Sequence, residues 1–76
     1  MADYRYQGKR EFVSDGASIR LSATVEGWGH PCESTFYRLN VYNEERGMFL
    51  VYCECFDTVD ESLTKLGEFG EWKEIN

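Results

Sequence analysis

At 76 residues the chain has room for one domain, 1–76, and not for a second core. Its aromatic content of five Phe, five Tyr and two Trp excludes disorder, because rings deliver much buried area per residue. A formal net charge of −6 excludes routine binding to nucleic-acid backbones, which needs clustered Lys and Arg.

In chain order, Tyr4 to Val13 reads as a first strand with Gly8 at a bulge, and Ser14-Asp15-Gly16 supplies turn chemistry. The clearest strand follows: Ile19, Leu21, Ala23 and Val25 alternate with Ser18, Arg20, Ser22, Thr24 and Glu26. A period of two sends one apolar row inward and one polar row outward. Gly27 to Ser34 contains Gly27, Gly29 and Pro31 and reads as a loop. Thr35 to Tyr42 is the third strand, with Tyr37, Leu39 and Val41 continuing the inward row. Asn43 to Gly47 closes a hairpin in which Gly47 is placed to take positive φ. Met48 to Phe56 is a fourth strand, apolar on both faces and therefore central or covered twice. Its row of Phe49, Val51, Cys53 and Cys55 is assigned to the core.

The helix begins at Thr58, where Thr58-Val59-Asp60-Glu61 matches a capping box. Val59, Leu63 and Leu66 form one apolar stripe, and Gly67 or Gly70 ends the helix. The tail Glu71 to Asn76 either adds a short edge strand or packs Trp72 over the helix end. The expected fold class is α+β: an antiparallel meander of about four strands packed by one C-terminal helix.

No run approaches the roughly 18 apolar residues that span a bilayer, and Met1 to Arg5 lacks a basic stretch leading into an apolar one, so neither a membrane nor a secretory route is expected. Cys32, Cys53 and Cys55 are odd in number, and two are spaced i, i+2 on a strand, which suits reduced thiols in a cytoplasm. His30 and the three cysteines lack knuckle spacing for zinc. His30 and Cys32, two apart in a loop, make a poor nucleophile–base pair. No Gly-rich phosphate loop is present, and the carboxylate pairs Glu44-Glu45 and Asp60-Glu61 already serve a turn and a cap. The expectation is no enzyme, no metal and no cofactor.

Two features point to binding. Residues 54–76 hold seven acids against two bases, while 1–53 hold seven against six. That bias is either a solvated face or a surface that meets a basic partner. The sheet face away from the helix is expected to show Arg20, Ser22, Thr24, Glu26, Trp28, Phe36, Arg38, Asn40, Tyr42, Met48, Leu50, Tyr52, Glu54 and Phe56. Such a mixture of rings and charges resembles an interface more than a free polar face. Two other arrangements remain open: residues 4–13 fold over this face, or the parity slips at a bulge and the row becomes core.

The run Phe56-Asp57-Thr58-Val59-Asp60-Glu61-Ser62-Leu63 resembles the strand-to-helix junction of the HicB-type antitoxin fold, where a "DT-x-EEAL" run follows a short antiparallel sheet. The whole-chain profile is similar to that of small phage proteins that block bacterial defence, anti-CRISPR proteins above all. That second resemblance is one of type, without a shared motif: a small acidic domain, an aromatic face and no catalytic set. It implies occlusion of a basic, nucleic-acid-binding surface by carboxylates standing in for phosphates.

The expected function is therefore to bind and inhibit or regulate a larger protein with a basic surface, with no direct contact to nucleic acid. Asp60, Glu61, Glu68 and Glu71 would meet Lys and Arg, and Trp28, Phe36, Tyr42 and Tyr52 would be apolar anchors. The alternative is a HicB-like antitoxin or other operon-encoded regulator acting as a homodimer through its sheet; a metal-binding module comes third.

Overall fold

A computed structural model describes residues 4–16, 18–30, 33–45 and 47–75, with Glu33 described by its backbone alone. Five strands and one helix follow in the order β1 (Arg5–Ser14), β2 (Leu21–His30), β3 (Glu33–Asn43), β4 (Phe49–Phe56), α1 (Val59–Gly67) and β5 (Trp72–Ile75). The strands form one antiparallel sheet in the order β4-β3-β2-β1-β5. The arrangement is α+β, and β1 to β4 are the expected meander.

Two expectations are corrected. The sheet has five strands and not about four, and the helix lies between β4 and β5 and is not C-terminal. The cause is the tail, which does both things the sequence allowed. Trp72 donates its indole N–H to the Leu66 carbonyl at 2.8 Å, tying the tail to the end of α1. Residues 72–75 then pair with Ser14 to Glu11 of β1. Gly70, at φ +127°, permits the reversal between them.

The glycine-rich stretch expected as a loop is strand. Gly27, Trp28 and Gly29 pair with Gly8, Tyr6 and Arg5 of β1, and β2 runs on to His30. Trp28 sits between Tyr6 on one neighbour and Phe36 on the other, so cross-strand aromatic packing compensates for two strand glycines. Pro31 and Cys32 lie outside the described residues. The strand begins at Leu21, and Ile19 stays in the preceding turn at 49% exposure, outside the core row expected for it. Ser14 Oγ fastens that turn by accepting from the Leu21 N–H at 3.0 Å. Gly8 bears out the expected bulge: the β1–β2 register shifts between Tyr6 and Gly8, and its φ of +127° suits glycine. Gly47 likewise has positive φ, +86°.

The core comprises Phe12, Ala23, Val25, Leu39, Val41 and Leu66. The expected inward row holds through β2 and β3, but β4 is reversed from Tyr52 onward. Val41 pairs with Tyr52, whereas its neighbour Tyr42 pairs with Leu50, so Val51 is an extra residue in the ladder. One inserted residue exchanges the faces of everything after it. Tyr52 and Phe56 thus lie on the helix side, packed against the core. Cys53 and Cys55, expected in the core, are exposed on the other side. β4 is also an edge strand and not a central one.

The helix follows its sequence signature. Thr58 caps it in an extended conformation, with Oγ1 accepting from the Glu61 N–H at 3.1 Å. The Thr58 hydroxyl also approaches the Glu61 carboxylate, at 3.4 Å. Leu66 is buried, with Val59 and Leu63 half-buried beside the core.

Candidate partner-binding surfaces

The residues singled out from sequence divide between two sides of the sheet. Trp28, Phe36 and Tyr42 lie on the face away from the helix, as expected. Residues 4–13 do not cover that face: β1 lies in the sheet beside β2, and Tyr4 and Tyr6 extend the aromatic end, 44% and 50% exposed. Tyr6 packs edge-on to Trp28 at 5.4 Å between centroids. Tyr4 contacts Phe36 at 5.4 Å and His30 at 5.2 Å in the same manner.

Polar pairs fill the middle of that face. Asn40 is buried and donates to Thr24 Oγ1 at 3.1 Å. Trp28 donates its indole N–H to Glu26 at 3.3 Å. Lys9 pairs with Glu11 at 2.9 Å, which raises the Lys9 pKa through that hydrogen bond and the adjacent charge. Arg38 Nε donates to Cys53 Sγ at 3.2 Å, and this bond raises the Arg38 pKa. At the far end a shallow hollow of about 290 Å³ is bordered by Val13, Tyr42, Met48 and Ile75.

Tyr52 belongs to the other side, a correction that follows from the Val51 bulge. Its ring packs on Phe69 at 5.1 Å, and the Lys65 ammonium lies 5.6 Å from its centroid. Its hydroxyl donates to the Glu54 carboxylate. That bond, with the negative charges of Glu54 and Glu68 nearby, pushes the Tyr52 pKa up to about 12. Lys65 in turn pairs with Glu68 at 3.1 Å. Glu54, Tyr52, Lys65, Glu68 and Phe69 therefore form one cluster along the β4–α1 side, with Glu54 bonded to the Tyr52 hydroxyl and Glu68 to Lys65. Asp60 and Glu61 are exposed in the first turn of α1, where the helix dipole favours them. Glu71 is exposed beyond the helix, and its carbonyl accepts from the Asp15 N–H at 2.9 Å. Glu74 is neutralised by a two-point bond from Arg10 at 2.6 and 2.8 Å, which lowers the Glu74 pKa and raises that of Arg10.

Sequence reasoning counted Glu54 in the acidic segment but expected it on the face away from the helix, and it missed Phe69 as the aromatic partner of Tyr52. The β4 bulge brings Glu54 to the helix side. Among the described residues no group of three or more His, Cys, Asp or Glu is placed to hold a metal ion. Among them, too, no helix is long and apolar enough to cross a membrane. No family model matches the chain, and comparisons with curated proteins and with solved structures return no match.

Proposed function

We propose that the chain is a small non-catalytic protein that docks on a larger protein with a basic, nucleic-acid-handling surface and inhibits or regulates it, in the manner of an anti-CRISPR or other anti-defence inhibitor. The observation that carries this reading is the charge of the β4–α1 side. Residues 49–69 hold five carboxylates, Glu54, Asp57, Asp60, Glu61 and Glu68, against the single base Lys65. Beside them Phe49, Leu50 and Val51 are more than half exposed. Carboxylates at this density favour encounter with Lys and Arg and fix orientation, while the exposed apolar residues supply contact area. Tyr52, although not on the aromatic face, remains a binding candidate within this surface, together with Asp60, Glu61 and Glu68. Trp28, Phe36 and Tyr42 form a separate candidate surface on the opposite face.

The second reading, a HicB-like antitoxin acting as a dimer, draws on the Thr58-capped junction directly after β4. The two are separated by adding the purified protein to a panel of guide-loaded CRISPR effectors and following DNA cleavage. Loss of cleavage by one effector, weakening as salt is raised, is the expected result. A stable dimer that inhibits none of them counts for the antitoxin reading instead.

A further inference from the structure

The two edges of the sheet are built differently. β5 is four residues long and bears Lys73 and Glu74, the latter bonded to Arg10. Short length and charge are devices that keep an edge from pairing with another chain. β4 presents eight residues, Phe49–Phe56, without Pro or Lys and with Glu54 as its only charge. Among the described residues no strand lies on its outer side, and Phe49, Leu50 and Val51 are 57%, 51% and 53% exposed. The Val51 bulge and the charge of Glu54 are the features of β4 that oppose pairing with a like edge.

The faces beside this edge also differ. Towards α1 lie Glu54, bonded to the Tyr52 hydroxyl, and Glu68, paired with Lys65. Away from α1 lie Leu50, beside Tyr42, and the exposed Cys53. An added strand would therefore meet carboxylates with one row of side chains and, with the other, Leu50 and Cys53, the latter holding Arg38. Arg38 is on the far side of the sheet from Glu54 and does not offset it.

Resting on the function proposed above, we infer that β4 receives an extended segment of the partner as a sixth strand, with Lys or Arg in one row and apolar residues in the other. Main-chain hydrogen bonds supply affinity in such strand addition, and the alternating side chains supply specificity. Charge selects this occupant over a second copy. Two-fold pairing of β4 with itself would bring two sets of five carboxylates and one lysine side by side. Like charges across a strand pair are destabilising, whereas a basic segment turns the same charges to attraction.

The probe is a synthetic peptide of alternating Val and Lys, as long as β4, followed by amide hydrogen exchange on the intact chain. Slowed exchange of β4 amides is expected, with binding about tenfold weaker for an alternating Val and Glu peptide. Binding should vanish for a Val and Lys peptide methylated at every amide nitrogen, which keeps the charge but removes the donors. Equal binding of the methylated peptide, or protection confined to α1 or to the aromatic face, overturns the inference. So does protection of β4 without peptide in a chain with the mass of a dimer. If Glu54→Lys with Glu68→Lys abolishes inhibition of an effector while β4 stays unprotected in the complex, the function stands and the strand addition falls. If the peptide protects β4 but no effector is inhibited, the edge is as inferred and the function falls.

Discussion

The reversal of β4 can be tested by truncating Cys53, with Leu39 of β3, buried in either register, as the reference. Leu39, opposite Glu54 in β3, is fully buried, while Cys53 is exposed. Leu39→Ala removes three carbons, about 2.4 kcal/mol of transfer free energy at about 0.8 kcal/mol per methylene. The cavity left beneath Leu66 raises the cost to about 3–4 kcal/mol. For a domain of this length the whole stability is about 4–11 kcal/mol, so Leu39→Ala consumes about a quarter of it or more. With a urea m-value of about 1 kcal/mol/M, the unfolding midpoint should fall by about 3 M. Cys53→Ala should change stability by less than about 0.5 kcal/mol, since it deletes an exposed thiol and an exposed contact to Arg38. Urea titrations followed by Trp fluorescence and far-UV circular dichroism measure both. A Cys53→Ala shift as large as that of Leu39→Ala would put Cys53 back in the core and refute the reversed register.

Thr58→Ala removes the hydroxyl that accepts from Glu61 and should destabilise the chain by about 1 kcal/mol, read as a lower melting temperature. Tyr52 should ionise well above the ordinary tyrosine value in an absorbance titration, near its pKa of about 12. Its neutral form is the one favoured by folding, so its contribution is fully present below about pH 10 and lost as pH rises towards 12. Glu54→Gln should bring that titration back towards the ordinary tyrosine range. Gly8→Ala leaves the site open in space but keeps φ at +127°, a conformation that costs a residue with a side chain about 1–3 kcal/mol; an unchanged melting temperature would show that the bulge can relax.

Most of the fold was legible because it rests on local rules. Ala23, Val25, Leu39 and Val41 alternate cleanly, and Thr58 to Glu61 spell a cap. Gly8 and Gly47 sit where positive φ is needed. The errors came from places where alternation carries no information. β4 is apolar on both rows, so neither parity conflicts with its sequence, and a bulge at Val51 leaves no mark that a run of Phe, Leu, Val and Tyr could show. The segment Gly27-Trp28-Gly29 looked like a loop because glycine weakens strands, and only the partners Tyr6 and Phe36 explain why this one is kept. The fifth strand depended on a contact distant in sequence, Arg10 with Glu74. For the candidate surfaces, Asp60, Glu61, Glu68 and Glu71 were singled out from charge bias alone, and all four are exposed. Tyr52 and Glu54 were expected on the face away from the helix, and the same bulge turns both to the helix side.

The decisive measurement is amide hydrogen exchange on the chain alone and mixed with an effector of the kind proposed as its target. Slowed exchange across residues 49–56 of β4 and 59–67 of α1, with the strand ends around Tyr6, Trp28 and Phe36 unchanged, is the expected footprint. Protection centred on those three rings, leaving β4 and α1 as they were, would contradict the assignment of the acidic edge as the docking surface.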